Sequence, residues 1–300
     1  TQSRSSAASD VYKRQPYTTL ISAEQLQALQ ASGKPLLVFD VSFDLMKPQA
    51  GAAQFTEGHI PGAVFADLDL SLSDKSGSGQ AASGGRHPLP SREHFAAWLA
   101  KAGLQHGMQV VVYDRQQCNY CVRLWWMLKW VGFDAVAVLD GGLQAWQAAG
   151  GALETEAQVH AEGDFQLSVA LTDLVDAQDV LAKLGSPVQT VIDARGAPRY
   201  RGEVEPLDPV AGHIPGALNR PFTSNFGADG KFKPAAVLRA EFDELLAGHD
   251  VAGVVHQCGS GVSATPNLLA MEIAGLGRAR LYAGSWSDWC SDPARPVAQG

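Results

Sequence analysis

Cysteine and long apolar runs are both scarce in this chain of 300 residues. The four cysteines are Cys118, Cys121, Cys258 and Cys290, too few for a disulfide framework, so we expect a protein of the reducing cytoplasm. No apolar run approaches the roughly 18 residues that a membrane span needs. We therefore expect no membrane location. No cysteines and histidines have the spacing of zinc ligands, so we expect no metal.

Basic residues are also in the minority. The chain has 23 lysines and arginines against 31 acidic residues, which gives a net charge of −8 and a pI near 5.4. Nucleic acids and anionic membranes attract basic surfaces, so neither is expected as a partner. Residues 1–16 are polar and lack the apolar core of a secretory signal. We expect them to form a disordered or non-native tail.

Two motifs occur twice and indicate a duplicated domain. GHIPGA is found at 58–63 and again at 212–217, and DGGLQAW at 140–146 is echoed by AGSWSDW at 283–289. Two separate motifs repeated in the same order are typical of a tandem repeat. The motifs lie further apart in the first copy, and the Gly/Ser-rich stretch 71–90 is expected to be the surface loop that accounts for the difference.

The repeat divides the chain into four segments. We expect a tail (1–16), a non-catalytic domain (17–150), a linker (151–167) and a catalytic domain (168–300). Each half alternates apolar strands with helices, which predicts two α/β domains, each a parallel sheet flanked by helices. Strands are predicted at 35–41, 108–114, 135–142, 190–195, 253–258 and 278–284. Helices are predicted at 23–30, 91–104, 123–133, 174–184, 240–249 and 264–275.

The stretch VVHQCGSGVSATPN, residues 254–267, carries the most chemistry. A strand ends at Cys258, a glycine-rich turn follows, and a helix begins. Backbone N–H groups gather where a loop enters a helix and would stabilise a nucleophilic thiolate, while a buried structural cysteine stays open as the alternative. The loop lacks the Gly-Lys-Ser/Thr ending of a phosphate loop. It also has Ala264 where a cysteine-dependent phosphatase needs arginine, which argues against phosphoryl chemistry.

The first half serves as an internal control. The repeat offset aligns Arg115 with Cys258, so the first half has no cysteine at that position and the second domain is predicted to be catalytic. Cys118 and Cys121 have a C-x-x-C spacing, which permits either a redox pair or two packing cysteines. Packing is the expectation, because the residues that flank thioredoxin-like pairs are missing.

These motifs together resemble the tandem-rhodanese sulfurtransferase family over residues 17–300. The resemblance rests on the two GHIPGA copies, CGSGVSA at 258–264, DGGLQAW and GSWSDW, GRHPLPSREHF at 85–95, and RYRGEVEPLDPVAGHIPGA at 199–217. It implies two rhodanese domains, each a five-stranded parallel sheet surrounded by helices, of which only the second is active.

The resemblance also implies a mechanism without metal or organic cofactor. The Cys258 thiolate takes a sulfur from a small-molecule donor and becomes a persulfide, which a thiol, thioredoxin or cyanide then discharges. Ser260 supplies a hydroxyl beside the thiol, and His59 is expected either to face the cleft as a proton relay or to be a structural histidine that fixes the GHIPG turn, as His213 in the second copy suggests. The loop residues expected around the sulfur are Gly259, Gly261, Val262 and Ser263. We expect the enzyme to be a monomer.

The donor is read from the residues after the cysteine. Cys-Gly-Ser-Gly resembles the 3-mercaptopyruvate enzymes, whereas the family's thiosulfate enzymes carry Cys-Arg-Lys-Gly. Arg199 matches one of two family arginines that bind the donor carboxylate, but Leu207 stands at the second. Arg201, Arg195 and Arg115 are candidate replacements, although Arg195 is expected to pair with Asp193 or a backbone carbonyl instead. Arg201 is included among the donor-binding residues. Thiosulfate therefore stays as an alternative donor, and a non-catalytic binding module as a remoter alternative.

Overall fold

The computed structural model describes residues 16–300, and the first half forms a five-stranded parallel sheet in the order β1-β5-β4-β2-β3. The predicted tail thus falls almost wholly outside the described residues. The strands are β1 (Leu20–Ile21), β2 (Leu36–Asp40), β3 (Ala63–Phe65), β4 (Gln109–Tyr113) and β5 (Val136–Leu139). The helices are α1 (Ala23–Ala31), α2 (Ala50–Glu57), α3 (Arg92–Lys101), α4 (Cys121–Trp130) and α5 (Gly142–Ala148).

The second half repeats this topology in the order β6-β10-β9-β7-β8, again with parallel pairings. Its strands are β6 (Leu174–Val175), β7 (Thr190–Asp193), β8 (Leu218–Asn219), β9 (Val254–Gln257) and β10 (Arg280–Tyr282). Its helices are α6 (Ala177–Ala182), α7 (Ala197–Tyr200), α8 (Ala235–Leu246), α9 (Thr265–Ile273) and α10 (Ser285–Trp289). The predicted fold class is therefore confirmed.

Several local predictions differ from the structure, and two of them have a clear physical reason. The segment 174–184, predicted as one helix, is the edge strand β6 followed by α6, and Asp176 caps the helix by accepting the N–H of Asp179. The short strand pairs with β10, so sheet formation overrides the helical pattern. Helix α2 was not predicted, because its small residues give no clear apolar stripe.

Strand register shows which residues of the two halves correspond. Asp40 pairs with Tyr113 in the first sheet, and Asp193 pairs with Gln257 in the second. The next residues are therefore equivalent, so Asp114 takes the place of Cys258. The alignment of Arg115 with Cys258 is wrong by one residue, because the first half has one more residue between this strand and its α5 helix. The absence of a cysteine at the matching position is confirmed.

The two halves share one continuous core. Helix α4 is buried along its whole length and packs against α9 of the other half. Residues 151–170 contain no helix, and the chain there crosses the surface of the first half, where Glu154 pairs with His59 and Phe165 is buried. Within residues 16–300, none of the helices is both long and apolar enough to cross a membrane.

Candidate active site

Cys258 lies directly after β9, at the carboxyl end of the second sheet, where open α/β folds bind their ligands. It is only 2% exposed, and its N–H donates to Ser285 Oγ at 3.0 Å. The Ser285 hydroxyl donates in turn to the Tyr282 carbonyl at 2.9 Å. Gly261 has a φ of +76°, and a Cβ there would collide with the Ala283 carbonyl, so this turn requires glycine.

The backbone N–H groups of the Cys258 loop have no hydrogen-bond acceptor within residues 16–300. Among the interactions of residues 16–300, the N–H groups of residues 259–264 donate to no backbone or side-chain acceptor. Six consecutive unpartnered donors around a nearly buried turn are unusual, since buried N–H groups are almost always paired. The loop is therefore built to receive an acceptor that the protein itself does not supply.

The equivalent loop of the first half is filled by its own aspartate. Asp114 Oδ1 accepts the N–H groups of Gln116 and Cys118 at 2.9 Å, and Oδ2 accepts those of Tyr120 and Cys121 at 2.8 and 2.9 Å. Burial raises the pKa of Asp114, and these four donors oppose that shift. In the first half, the Asp114 carboxylate therefore accepts the loop N–H groups, whereas the corresponding N–H groups after Cys258 have no acceptor within residues 16–300.

Cys118 and Cys121 line that filled loop. Both are fully buried, and their sulfur atoms lie with an Asp114 oxygen within 4.8 Å of one another. Each aspartate oxygen already accepts two N–H groups, which leaves it poorly placed to bind a metal. Burial raises the pKa of the Cys121 thiol well above its ordinary value. These features fit packing cysteines better than a reactive dithiol.

A histidine of the first half reaches the Cys258 loop, and it is His87. Its Nδ1 lies 2.8 Å from Ser260 Oγ, and its Nε2 lies 3.4 Å from Asp69 Oδ1. Burial, followed by the charges of Lys75, Arg123 and Arg86, lowers the pKa of His87 to about 3. The ring is therefore neutral at pH 7. With its proton on Nε2, toward Asp69, its Nδ1 accepts the Ser260 hydroxyl.

His59, which we expected to face the cleft, lies elsewhere. Its Nδ1 donates to the Phe55 carbonyl at 2.7 Å, its ring stacks on Phe55, and its Nε2 is 3.6 Å from Glu154. His213, in the second GHIPGA copy, likewise donates to the Tyr200 carbonyl and stacks on that ring. The two copies use the histidine in the same way, to fix the turn, and the structure does not bring His59 to the Cys258 loop.

The predicted surface loop 71–90 carries His87 into the site. A Cβ on Gly85 would collide with the Gly284 carbonyl, so the two backbones meet too closely for any other residue. Arg123, fully buried on α4, donates to the carbonyls of Gly261, His87 and Leu72 and so joins this loop to the Cys258 loop. Residues 75–80 of this stretch are exposed, as its Gly/Ser composition predicts, whereas Gly85 lies against the second half.

Arg199 is found beside Gly259, as expected, but with an unexpected companion. A Cβ built on Gly259 would lie 3.2 Å from Arg86 Nη2 and 3.5 Å from Arg199 Nη1. Asp208 bridges the two guanidinium groups, at 2.6 Å from Arg86 and 3.2 Å from Arg199. Glu205 accepts from Arg199 at 2.7 Å. Arg86 lies in the GRHPLPSREHF motif, but that motif alone does not indicate a contact with the other half of the repeat.

The three replacement arginines considered from the sequence are engaged elsewhere. Arg201 is 42% exposed and pairs with Glu203, and Arg115 binds Asp40 in the first half. Arg195 is buried and pairs with Asp193, the alternative to donor binding. The structure therefore does not bring Arg201 to the Cys258 loop.

Comparisons with known proteins agree with this architecture. The family model described as "Rhodanese-like domain" matches residues 22–149 and 176–292. The chain therefore belongs to the tandem-rhodanese family and is a sulfurtransferase.

Three relatives illustrate this membership. A Pseudomonas aeruginosa protein named "Probable 3-mercaptopyruvate sulfurtransferase" is 49% identical, over 94% of this chain and 98% of its own. SseB of Mycobacterium tuberculosis, whose name assigns it to the thiosulfate sulfurtransferases, is 41% identical over 94% and 97%. The crystal structure of the 3-mercaptopyruvate sulfurtransferase SseA from Escherichia coli superposes with a TM-score of 0.76 at 32% identity, covering 90% of this chain and all of SseA.

Proposed function

We propose that this enzyme moves sulfur from 3-mercaptopyruvate, through a persulfide on Cys258, to a thiophilic acceptor. The observation that carries the proposal is the open cradle of N–H groups at residues 259–264, whose counterpart in the first half holds the Asp114 carboxylate. A persulfide sulfur on Cys258 would occupy the same place and carry the same negative charge. Such preorganised donors stabilise an anion without further reorganisation.

The loading step balances without an added oxidant or reductant. The Cys258 thiolate attacks the donor sulfur, the S–S bond forms, and the C–S bond breaks with its electron pair remaining on carbon. The leaving group is the enolate of pyruvate, which gains one proton. The donor thiol loses one proton, so the reaction needs a group that carries a proton from sulfur to carbon.

We assign this proton transfer to Ser260 and His87. Neutral His87 accepts the Ser260 hydroxyl proton on Nδ1, and Asp69 stabilises the imidazolium that forms when the ring is charged. The arrangement is that of a hydroxyl, an imidazole and a carboxylate in sequence, with roles recognised by geometry. Burial keeps the pKa of His87 low, so the ring is neutral in the resting enzyme with Nδ1 free to accept, and Asp69 must offset the charge that the ring gains when it takes the proton.

Thiosulfate is the second candidate donor. Its outer sulfur could be taken by the same thiolate with sulfite as the leaving group, and that step needs no carbon protonation. The relative SseB, named for this donor, supports the alternative. The neutral Gly259 and Ser260 favour 3-mercaptopyruvate, because a small dianion is better served by cations placed directly after the cysteine.

Donor preference is tested by measuring kcat/KM with 3-mercaptopyruvate, followed by pyruvate release, and with thiosulfate, followed by sulfite release. We expect the first donor to be preferred at least tenfold. Cys258→Ser should abolish both reactions, and Cys290→Ser serves as the matched control. A preference for thiosulfate would overturn the donor assignment, and activity in Cys258→Ser would overturn the persulfide.

Further parts of the proposal concern the setting of the reaction. We propose a thiol, thioredoxin or cyanide as acceptor, a monomeric enzyme, and a non-catalytic domain at 17–150 joined by a linker at 151–167 to a catalytic domain at 168–300. We also propose the reducing cytoplasm as its location, supported by four cysteines that are all free thiols.

A further inference from the structure

Four lysine and arginine side chains are buried in the part of the chain that the structure describes, and Arg123 on α4 is the one without an acidic partner. It is fully buried, and no carboxylate of residues 16–300 forms an ion pair with it. A buried charge without a counter-ion is costly, so this position needs an explanation. The other three are paired: Lys129 with Asp134, Arg195 with Asp193, and Arg220 with Glu241.

The groups around the Arg123 guanidinium are three carbonyls and one ionisable thiol. Arg123 donates to the carbonyls of Gly261, His87 and Leu72 at 2.9, 3.0 and 3.3 Å, and its Nε is buried without an acceptor. Burial lowers the pKa of Arg123 to about 10, and Cys258 is the ionisable group that opposes this shift. The guanidinium is therefore charged at pH 7, and a negative charge on the Cys258 sulfur would compensate it.

The peptide between Gly261 and Val262 links Arg123 to the open N–H groups of the loop. Its carbonyl accepts from Arg123, and the carbonyl and N–H of a trans peptide point in opposite directions. The Val262 N–H therefore points away from Arg123, and it is one of the N–H groups of residues 259–264 that have no acceptor within residues 16–300. A cation at the carbonyl end polarises the peptide and strengthens its N–H as a donor to an anion.

We propose that Arg123 is the counter-ion of the sulfur anion on Cys258, first of the thiolate and then of the persulfide. Arg123 contacts the loop and not the substrate, so it is a positioning residue whose charge acts on the nucleophile from the other domain. This inference rests on the proposed function, because it assumes that Cys258 is the residue that carries the sulfur.

The other basic groups around the Cys258 loop are neutral or have acidic partners. Many reactive cysteines have an imidazolium as counter-ion, but His87 cannot serve in this way, because burial, followed by three nearby cations, lowers its pKa to about 3. The remaining cations are paired: Arg86 with Asp208, Arg199 with Glu205 and Asp208, and Lys75 with Asp69. Within residues 16–300, Arg123 is therefore the cation at this loop whose charge no carboxylate offsets.

The test measures the rate at which iodoacetamide alkylates Cys258 as a function of pH, by mass spectrometry of the Cys258 peptide. Arg123→Met removes the charge, so the midpoint of the pH–rate curve should rise by about one pH unit or more. At a pH below both midpoints, alkylation should slow about tenfold. Arg123→Lys keeps a charge on a side chain of similar length and should move the midpoint by no more than about half as much. If Arg123→Met does not fold, Arg123→Gln gives the neutral comparison.

The control is Lys129→Met, which removes another buried cation of α4, one that has acidic partners, and should leave the midpoint unchanged. Equal shifts in the neutral variant and in Arg123→Lys would mean that the arginine acts through its shape alone, and this would overturn the counter-ion. An unchanged midpoint in the neutral variant, or an equal shift in Lys129→Met, would overturn it too. Wild-type Cys258 that reacts no faster than Cys290 would instead overturn the proposed nucleophile.

Discussion

The two loops that follow β4 and β9 are the most informative comparison in the molecule. Both leave the carboxyl end of a central strand, turn sharply, and enter a helix, α4 or α9. In the first, the side chain of Asp114 folds back and takes four N–H groups; in the second, the equivalent residue is Cys258, and the N–H groups stay open. The same backbone therefore makes one loop a structural element and the other an anion receptor.

The two halves of this duplicated fold have different roles. The first half has no cysteine in its own loop, but its residues His87, Arg86 and Arg123 contact the Cys258 loop of the second half. Under the proposed mechanism, neither half contains the whole site. We therefore expect perturbations of the two loops to have opposite signatures, stability for the first and turnover for the second.

The largest effect is expected from His87→Gln. Loss of the base that accepts the Ser260 proton should lower kcat for 3-mercaptopyruvate by about 10²–10⁴-fold with little change in KM. His59→Gln is the matched control, and it should lower the free energy of unfolding while leaving kcat within about threefold. A kcat that falls more in His59→Gln than in His87→Gln would contradict the relay.

Asp114→Ala should destabilise the protein by at least about 3 kcal/mol, because four buried N–H groups lose their acceptor. Chemical denaturation measures the change. Asp67→Ala is the control, since Asp67 accepts two N–H groups in a half-exposed loop and should cost about 1 kcal/mol or less. If Asp114→Ala is no more costly than Asp67→Ala, the carboxylate does not stabilise the first loop as described.

Arg123→Met tests whether this buried arginine holds the His87 loop and the Cys258 loop together. It removes three hydrogen bonds to carbonyls and is expected to cost about 2 kcal/mol of stability, with kcat reduced about tenfold as the His87 and Cys258 loops lose their common anchor. Lysine should not rescue it, because one ammonium cannot span the three carbonyls. Full activity in both variants would rule out this anchoring.

The smallest effect near neutrality is a pH dependence of stability. Burial lowers the pKa of His87 and of His256, on β9, to about 3, whereas both titrate near 6.5 when unfolded. The unfolded chain therefore binds more protons between pH 6.5 and 3, and stability falls as pH falls, by about 1 kcal/mol per histidine at pH 6. His87→Gln should reduce the slope, and an unchanged slope would mean that folding leaves the pKa of His87 unshifted.

Most of the fold was predictable from sequence, because apolar strands, helix caps and a repeated GHIPGA motif are local signals. The nucleophile was also predictable, since a cysteine before a glycine-rich turn needs no distant partner to be noticed. His87, Arg86 and Arg123 were not. Each acts across the domain boundary, and the segment of Arg86 and His87 has the Gly/Ser composition of an exposed loop. His59 is conspicuous because its motif is repeated, but its contacts lie within that motif and with Glu154.

The central claim is that the open loop, and not the filled one, receives the sulfur. It is tested most directly by incubating the enzyme with 3-mercaptopyruvate, measuring intact mass, and mapping the added sulfur among the four cysteines. The account predicts a gain of one sulfur atom, on Cys258 alone, which is lost in Cys258→Ser. Sulfur on Cys118 or Cys121, or loading that persists in Cys258→Ser, would contradict it.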